Sequence, residues 1–356
     1  VLKALNRNQI LLLSRINENS ENTITSLLTK LSNELNIPLS TLKFNAKVLK
    51  SLNLIEFRQN GKARIACLSK AGKVVLDIIN SRLNDDPSHL YITKSLAKSG
   101  FGSTMFQPGA IIEESLLNNL KSIASRIREN VVRMISEAGS GHLGASLSIV
   151  DILVVLYFLK IKHDPRNPLW SERDRVILSK GHAAPALYAV LAECGYFPVS
   201  LLNSLRRIDG FLQGHPEAYI PGIDMVSGSL GQGLSIANGM ALSFRLNGRG
   251  CRVYVIMGDG ELNEGQVWEA ALTASHLMLD NITVIVDRNG FQQEGSTEDV
   301  KKLEPLGGKW RAFGWHVVEI DGHDLNQIAA ALNEAELTKG CPTVIIAHTI
   351  KGFQPL

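Results

Sequence analysis

The hydrophobic pattern changes character along the chain. In the first eighty residues, apolar positions recur at helical spacing over Arg7 to Asn17, Thr23 to Leu35 and Ser40 to Leu52, with Pro38 and Ser40 punctuating the second and third stretches. Three helices are expected there. Leu54 to Gln59 and Lys62 to Leu68 then flank Asn60-Gly61, a dipeptide that tolerates the positive φ of a type I′ turn and so predicts a hairpin, and a last helix is expected through Val74 to Asn80. Residues 83 to about 112 contain Asp-Asp-Pro, Lys-Ser-Gly-Phe-Gly-Ser and Gln-Pro-Gly without sustained periodicity, which reads as a linker. From Glu113 onward, helical stretches such as Leu116 to Glu137 and Ile149 to Leu159 alternate with short Val- and Ile-rich runs. These are Val176 to Leu178, Val253 to Met257, Ile282 to Val286, His316 to Ile320 and Thr343 to Ala347. Such alternation predicts an α/β fold, a parallel sheet with helices on both faces, and ligands at the carboxyl ends of its strands.

Length and charge refine that picture. A chain of 356 residues exceeds what one core organises, and 45% apolar with 20% charged residues excludes general disorder. The expected domains are 1–82, a linker over 83–112, and 113–356. The net charge of +3 conceals an asymmetry: residues 1–82 hold 13 Lys and Arg against 5 Asp and Glu, a net +8, and the remainder carries −5. A basic module joined to an acidic one suggests a polyanion partner for the first, against the plainer reading of a solvated basic face. The longest uninterrupted apolar run, Ile152 to Leu159, falls short of a membrane span. Four cysteines at 67, 194, 251 and 341 share no short spacing, which argues against a disulfide framework and for a reducing, cytoplasmic location.

Three helices followed by a hairpin resemble a winged helix-turn-helix. That resemblance makes Ser40 to Leu52 a recognition helix, with Thr41, Lys43, Asn45 and Lys47 available to DNA and Arg58, Lys62 and Arg64 on the wing. Winged helices also serve as protein docking modules, so DNA binding through residues 1–82 is one of two expectations.

The chemistry lies in the larger module. The run Arg252 to Met257 leads into Gly258-Asp259-Gly260-Glu261-Leu262-Asn263-Glu264-Gly265, and the run Ile282 to Val286 leads into Asp287-Arg288-Asn289-Gly290-Phe291. An acidic residue between two glycines at a strand end can approach a divalent cation, and the following helix start offers amides to phosphate. Asn289, thirty residues after Asp259, supplies a second oxygen from a neighbouring strand. With diphosphate oxygens and a backbone carbonyl, the pair forms a plausible octahedral magnesium site.

From about residue 113 to 352 the sequence resembles the thiamine-diphosphate-dependent transketolases, over their diphosphate-binding domain. The resemblance rests on Ser140-Gly141-His142-Leu143-Gly144, on Arg173-Asp174-Arg175-Val176-Ile177-Leu178-Ser179-Lys180-Gly181-His182-Ala183, on Gly214-His215-Pro216-Glu217, on Gly228-Ser229-Leu230-Gly231-Gln232-Gly233, and on Asp259 with Asn289, all in the family's order. It implies a thiamine-diphosphate-binding fold and places Asp259, Asn289 and the carbonyl of Phe291 on Mg2+ or Ca2+. It also puts Gly260 and His182 on the diphosphate, with Glu261 in the same cofactor-binding segment, and Gly228 and Leu230 along the thiazolium. His142 and His215 would face sugar hydroxyls and move protons, work for which imidazole suits neutral pH. Glu264 and Glu269 match family positions proposed to link paired active sites, although Glu264 can equally be read as favouring a helix N-terminus. His89, His163, His276, His316, His323 and His348 read as ordinary core or surface residues.

The same resemblance implies transfer of a two-carbon ketol unit from a ketose phosphate to an aldose phosphate in carbohydrate metabolism, as in the pentose phosphate pathway. The family's activating glutamate lies in a pyrimidine-binding domain that this chain is expected to lack. An α2β2 heterotetramer, completed by a separate C-terminal subunit, is therefore expected. The alternatives are a DNA-binding regulator that uses the thiamine-diphosphate module as a sensor, and a non-catalytic cofactor-binding or assembly protein.

Overall fold

The structure is a computed structural model that describes residues 7–18, 23–35, 38–51, 53–60, 63–76, 112–293 and 295–354. The chain divides into two compact units, 1–90 and 91–356. Expectations for the linker up to residue 111, for His89, for Lys62 and for a helix beyond Leu76 fall outside the described residues.

The first unit has helices α1 (Arg7–Glu18), α2 (Ile24–Leu35) and α3 (Leu39–Ser51), then the hairpin β1 (Ile55–Asn60) and β2 (Ala63–Leu68). Leu12, Leu13 and Ile16 of α1, Leu27, Leu28 and Leu31 of α2, and Leu42, Ala46 and Leu49 of α3 close one core over Ile55 and Ala66. Three expectations shift. Asn45 is buried in the Leu42–Leu49 stripe of α3 and donates to the Thr41 carbonyl at 2.8 Å, so it is not open to DNA. Asn60 pairs with Ala63 as the last residue of β1, so it belongs to the strand and not to the turn. The last helix also begins earlier than expected, at residue 70.

In the second unit, β3 (Arg175–Leu178), β4 (Val253–Gly258), β5 (Ile282–Arg288), β6 (His316–Asp321) and β7 (Thr343–His348) form one sheet in the order β3-β4-β5-β7-β6. Every neighbouring pair is parallel. Each strand begins within one residue of its apolar run; in β3, β4, β5 and β7 residues buried on both faces leave no alternation for the pattern to lose, whereas β6 is only partly buried. One face buries Val253, Val255 and Met257 with Val284, Val286, Val344 and Ile346 against α7 (Gln232–Leu246), α8 (Gly265–His276) and Trp310 of α9 (Leu306–Ala312). The opposite face carries α10 (Leu325–Leu337), which packs on β6 and β7 and on α5 (Val150–Val155), and α5 packs in turn on α4 (Glu114–Ala138) and α6 (Ala184–Glu193). The strand order turns back between β5 and β7, and a ligand crevice is expected outside the strand ends at such a point.

The helix expected over Ile149 to Leu159 runs from Val150 to Val155 and widens into a π turn over Leu156–Lys160, closed by the Ile161 amide on the Leu156 carbonyl at 2.9 Å. The stretch Leu143–Lys160 is apolar and long enough to cross a membrane, but two-thirds of it is buried inside the unit as a core element.

Before β3, the buried Arg173 guanidinium donates to both carboxylate oxygens of Asp224, one of them at 3.0 Å, and the Val176 amide donates to Asp224 at 3.0 Å. This clasp ties the loop before Ser227–Leu230 to the sheet. Removing one partner of a buried pair strands the other charge, so D224A is expected to cost about 3–5 kcal/mol in urea unfolding, against ~1 kcal/mol or less for an exposed pair such as Lys30–Glu34.

Candidate active site at the carboxyl end of the sheet

Three strands deliver the chemistry. Gly258 ends β4 and hands over Asp259, which is 1% exposed. Its Oδ1 accepts the Gly260 amide at 2.8 Å, and its Oδ2 accepts the Gly290 amide at 2.7 Å and Arg288 at 3.1 Å. Burial pushes the Asp259 carboxyl above its ordinary range, and the Gly290 amide opposes that shift. Asn289 follows β5; its NH2 donates to Asp287 at 2.8 Å and its Oδ1 accepts the Phe291 amide at 3.0 Å. Asp259 and Asn289 thus meet at one turn, Gly290–Phe291.

β3 ends in Ser179-Lys180-Gly181-His182. The His182 ring lies edge-on to His142, centroids 5.0 Å apart. Burial, then the charges of Lys180, His142 and His215, lower His182 to about 3. His142 is lowered as well, first by burial and then by Arg206, His215 and Lys351. His215 packs against Gly228, where an added Cβ would stand 3.3 Å from its ring. The three expected histidines are therefore neighbours, and the first two are neutral imidazoles at pH 7.

Glycine permits two close approaches here. A Cβ on Gly181 would stand 2.6 Å from Ser227 Oγ and 2.9 Å from the Gly228 amide, and one on Gly231, whose φ is +85°, would meet Glu264 at 2.9 Å. Leu230 is half-buried, and its carbonyl accepts Gln266 at 3.0 Å. Glu261, expected in the cofactor-binding segment, is buried, 3% exposed. Its carboxylate accepts the Ser179 hydroxyl, the Gly231 amide at 2.7 Å and the Gly258 amide at 3.1 Å, so it ties three loops together. Glu264 is the N-cap residue of α8 without a side-chain cap bond, and Glu269 is exposed one turn further on.

The residues fit an anion and a cation held side by side. Lys180, Lys351 and Arg206 all act on His142, giving the pocket a positive field, and the buried Ser227 hydroxyl has no hydrogen-bond partner. Among the described residues, no three His, Cys, Asp or Glu side chains cluster to hold a metal ion. A cation at Asp259 and Asn289 would draw its remaining oxygens from carbonyls, water or a phosphate, the donor set that suits Mg2+.

Other contributors were not singled out from the sequence. Lys180 and Asp287 form an ion pair, 1% and 0% exposed at the side chain. Lys351 Nζ stands 5.2 Å over the Phe291 ring, and the Gly352 amide donates to the Gly144 carbonyl at 3.1 Å, bracing the loop that carries His142. A strand end in which Asp interrupts an otherwise apolar run was the available signal for Asp287. The remaining histidines behave as expected where described: His163 lies between Tyr196 and the Tyr157 carbonyl, His316 meets Glu334, and His323 meets Asp151.

Comparison with known proteins points to one family. The profile of the family described as transketolase, thiamine diphosphate binding domain, matches residues 120–355. The chain is 48% identical over 235 residues to the 6-deoxy-6-sulfo-D-fructose transketolase subunit SqwG of Clostridium sp. (strain MSTE9), spanning 66% of this chain and 86% of that protein. It is 41% identical over 237 residues to an apulose-4-phosphate transketolase subunit of Actinobacillus succinogenes, again over 66% of this chain and 86% of the relative. Among solved structures, the transketolase of Campylobacter jejuni superposes with a TM-score of 0.62 at 36% identity, covering 65% of this chain and 37% of that one. The order of the motifs, the parallel sheet and the matched residues together show that this chain belongs to the transketolase family through its thiamine diphosphate binding domain.

Proposed function

We propose that this chain is the diphosphate-binding subunit of a two-polypeptide transketolase that moves a ketol unit from a ketose phosphate to an aldose phosphate. The observation that carries this reading is the convergence of His142, His182 and His215 beside the Asp259–Asn289 turn. Two relatives named as transketolase subunits, each spanned over 86% of its length, support the two-chain arrangement. The partner is a C-terminal subunit with the pyrimidine-binding domain, in an α2β2 assembly. Four free cysteines fit a cytoplasmic enzyme of carbohydrate metabolism, with the pentose phosphate pathway as its setting.

Bound thiamine diphosphate supplies the carbon nucleophile that accepts the two-carbon unit. In this chain, Asp259, Asn289 and the Phe291 carbonyl hold Mg2+ or Ca2+, and the Gly260 amide and His182 hold the diphosphate. Gly228 and Leu230 shape the wall beside the ring. His142 and His215, one neutral and both near the mouth, hydrogen-bond sugar hydroxyls and carry the proton that leaves and returns as the donor bond breaks and the acceptor bond forms. Glu264 and Glu269, both exposed at the start of α8, would link paired sites through shared protons.

The first unit carries a separate reading. Ser40, Lys43, Lys47 and Lys50 share the exposed face of α3, opposite Leu42, Ala46 and Leu49, and Lys50 stands 5.1 Å over Phe57 of the hairpin. A lysine row on the third helix of a helix–hairpin module supports a winged helix that docks on phosphates.

Three outcomes are expected. D259A, titrated together with the partner, should lose about 100-fold in Mg2+-dependent thiamine diphosphate affinity, since a buried charged contact disappears; calorimetry showing unchanged affinity would remove the metal assignment. Ketol transfer from fructose 6-phosphate or xylulose 5-phosphate should require the second polypeptide. Full turnover by this chain alone in a coupled assay contradicts the split enzyme. Replacing Lys43 and Lys47 with Gln should flatten the slope of log affinity for duplex DNA against log salt by about 2; an unchanged slope, or no DNA retardation by the parent chain at low salt, would favour protein docking.

A further inference from the structure

We propose that Asp287 is a positioning residue that sets the side-chain amide of Asn289, so that its carbonyl oxygen rather than its NH2 faces the Gly290–Phe291 turn where Asp259 lies. The proposal rests on the reading that a divalent cation and thiamine diphosphate share this site.

The two ends of a carboxamide have nearly the same shape, so packing alone does not choose between them. Hydrogen-bond polarity does. Asp287 Oδ2 can only accept, and Asn289 Nδ2 stands 2.8 Å from it; the Phe291 amide can only donate, and Asn289 Oδ1 stands 3.0 Å from it. Flipping the amide would set oxygen against carboxylate and NH2 against N–H, two repulsive contacts in a half-buried place. Only the observed orientation presents oxygen on the side of Asp259, whose Oδ2 meets the neighbouring Gly290 amide at 2.7 Å. A divalent cation binds oxygen and gains nothing from an NH2.

Asp287 is itself held from four directions. Lys180 Nζ and the Ser148 hydroxyl, the latter at 2.8 Å, share its Oδ2 with Asn289, and the Thr349 hydroxyl takes Oδ1. Asp287 thus connects the segment before the Val150 helix, the end of β3, the end of β5 and the end of β7. Two of its partners, Ser148 and Thr349, do not bond to Asn289 in this arrangement, and this separates positioning from packing.

The test uses the full chain with its partner. Calorimetry measures Mg2+-dependent thiamine diphosphate affinity, electron paramagnetic resonance measures Mn2+ binding, and the melting temperature is recorded alongside. D287N is expected to weaken Mn2+ binding and Mg2+-dependent cofactor binding tenfold or more. S148A and T349A should lower the melting temperature while changing either affinity less than threefold. The swap D287N/N289D restores an NH2-to-carboxylate contact in the reverse sense and leaves oxygen at position 289, so it should recover most of the lost affinity. Should D287N fail to fold, the swap is compared with N289D alone: positioning predicts tighter binding by the swap, and a packing role predicts weaker. Unchanged affinity in D287N, or losses in all three single variants that track their melting temperatures, would overturn the proposal. A parent protein that binds thiamine diphosphate without any dependence on Mg2+ would instead overturn the shared-site reading beneath it.

Discussion

A buried ion pair, Lys180 with Asp287, underlies everything that gathers at the carboxyl end of this sheet. Taking an ammonium and a carboxylate out of water costs several kcal/mol per ion, and such a pair persists only where further hydrogen bonds complete it. Here Ser148, Thr349 and Asn289 complete it. Burial alone would raise the Asp287 carboxyl; Lys180 and the hydroxyls override burial and hold it below its ordinary range. The charge so retained faces the site from beneath, and Lys180 in turn precedes His182 by two residues and lowers it. One ion pair thus touches both the turn that carries Asn289 and the segment that carries His182.

What could be read from sequence was local. Val- and Ile-rich runs announced five strands, four of them buried on both faces and the fifth, β6, only partly buried, and Gly258-Asp259-Gly260 gained its meaning from Asn289 thirty residues on. The family resemblance supplied what no spacing could, the three histidines, which stand far apart in sequence and adjacent in space. The partner of Asp287 is 107 residues away, and no pattern along the chain connects them. Glu261 lies inside the motif in a short turn after β4 and is buried there, and the pattern carries no period over four residues to show its burial. Asn45 was legible in principle: it sits at the spacing of Leu42, Ala46 and Leu49, and a polar residue in an apolar stripe is buried when its amide can bond its own helix.

The field around the site is arranged before any ligand arrives. Lys180, Lys351 and Arg206 lie near His142, and burial together with neighbouring positive charge lowers His142 and His182. Lys180, buried at the carboxyl edge of the sheet and paired with Asp287, reorganises little when an anion enters, which is the condition under which electrostatic stabilisation is strongest. The same sheet edge is braced by Gly352 on Gly144, so the loop bearing His142 is positioned by the strand end across the crevice.

Glu261 has a consequence for how such a site can change. One carboxylate receives Ser179 from the loop after β3, Gly231 from the start of α7 and Gly258 from the end of β4, so three segments that each carry a site residue share a single acceptor. A substitution that displaces one segment loosens the other two, and compensating changes must arise in pairs or not at all. Exposed positions outside the chemistry that do not reach that carboxylate carry no such constraint, so the floor of the site resists drift while its rim remains open to change.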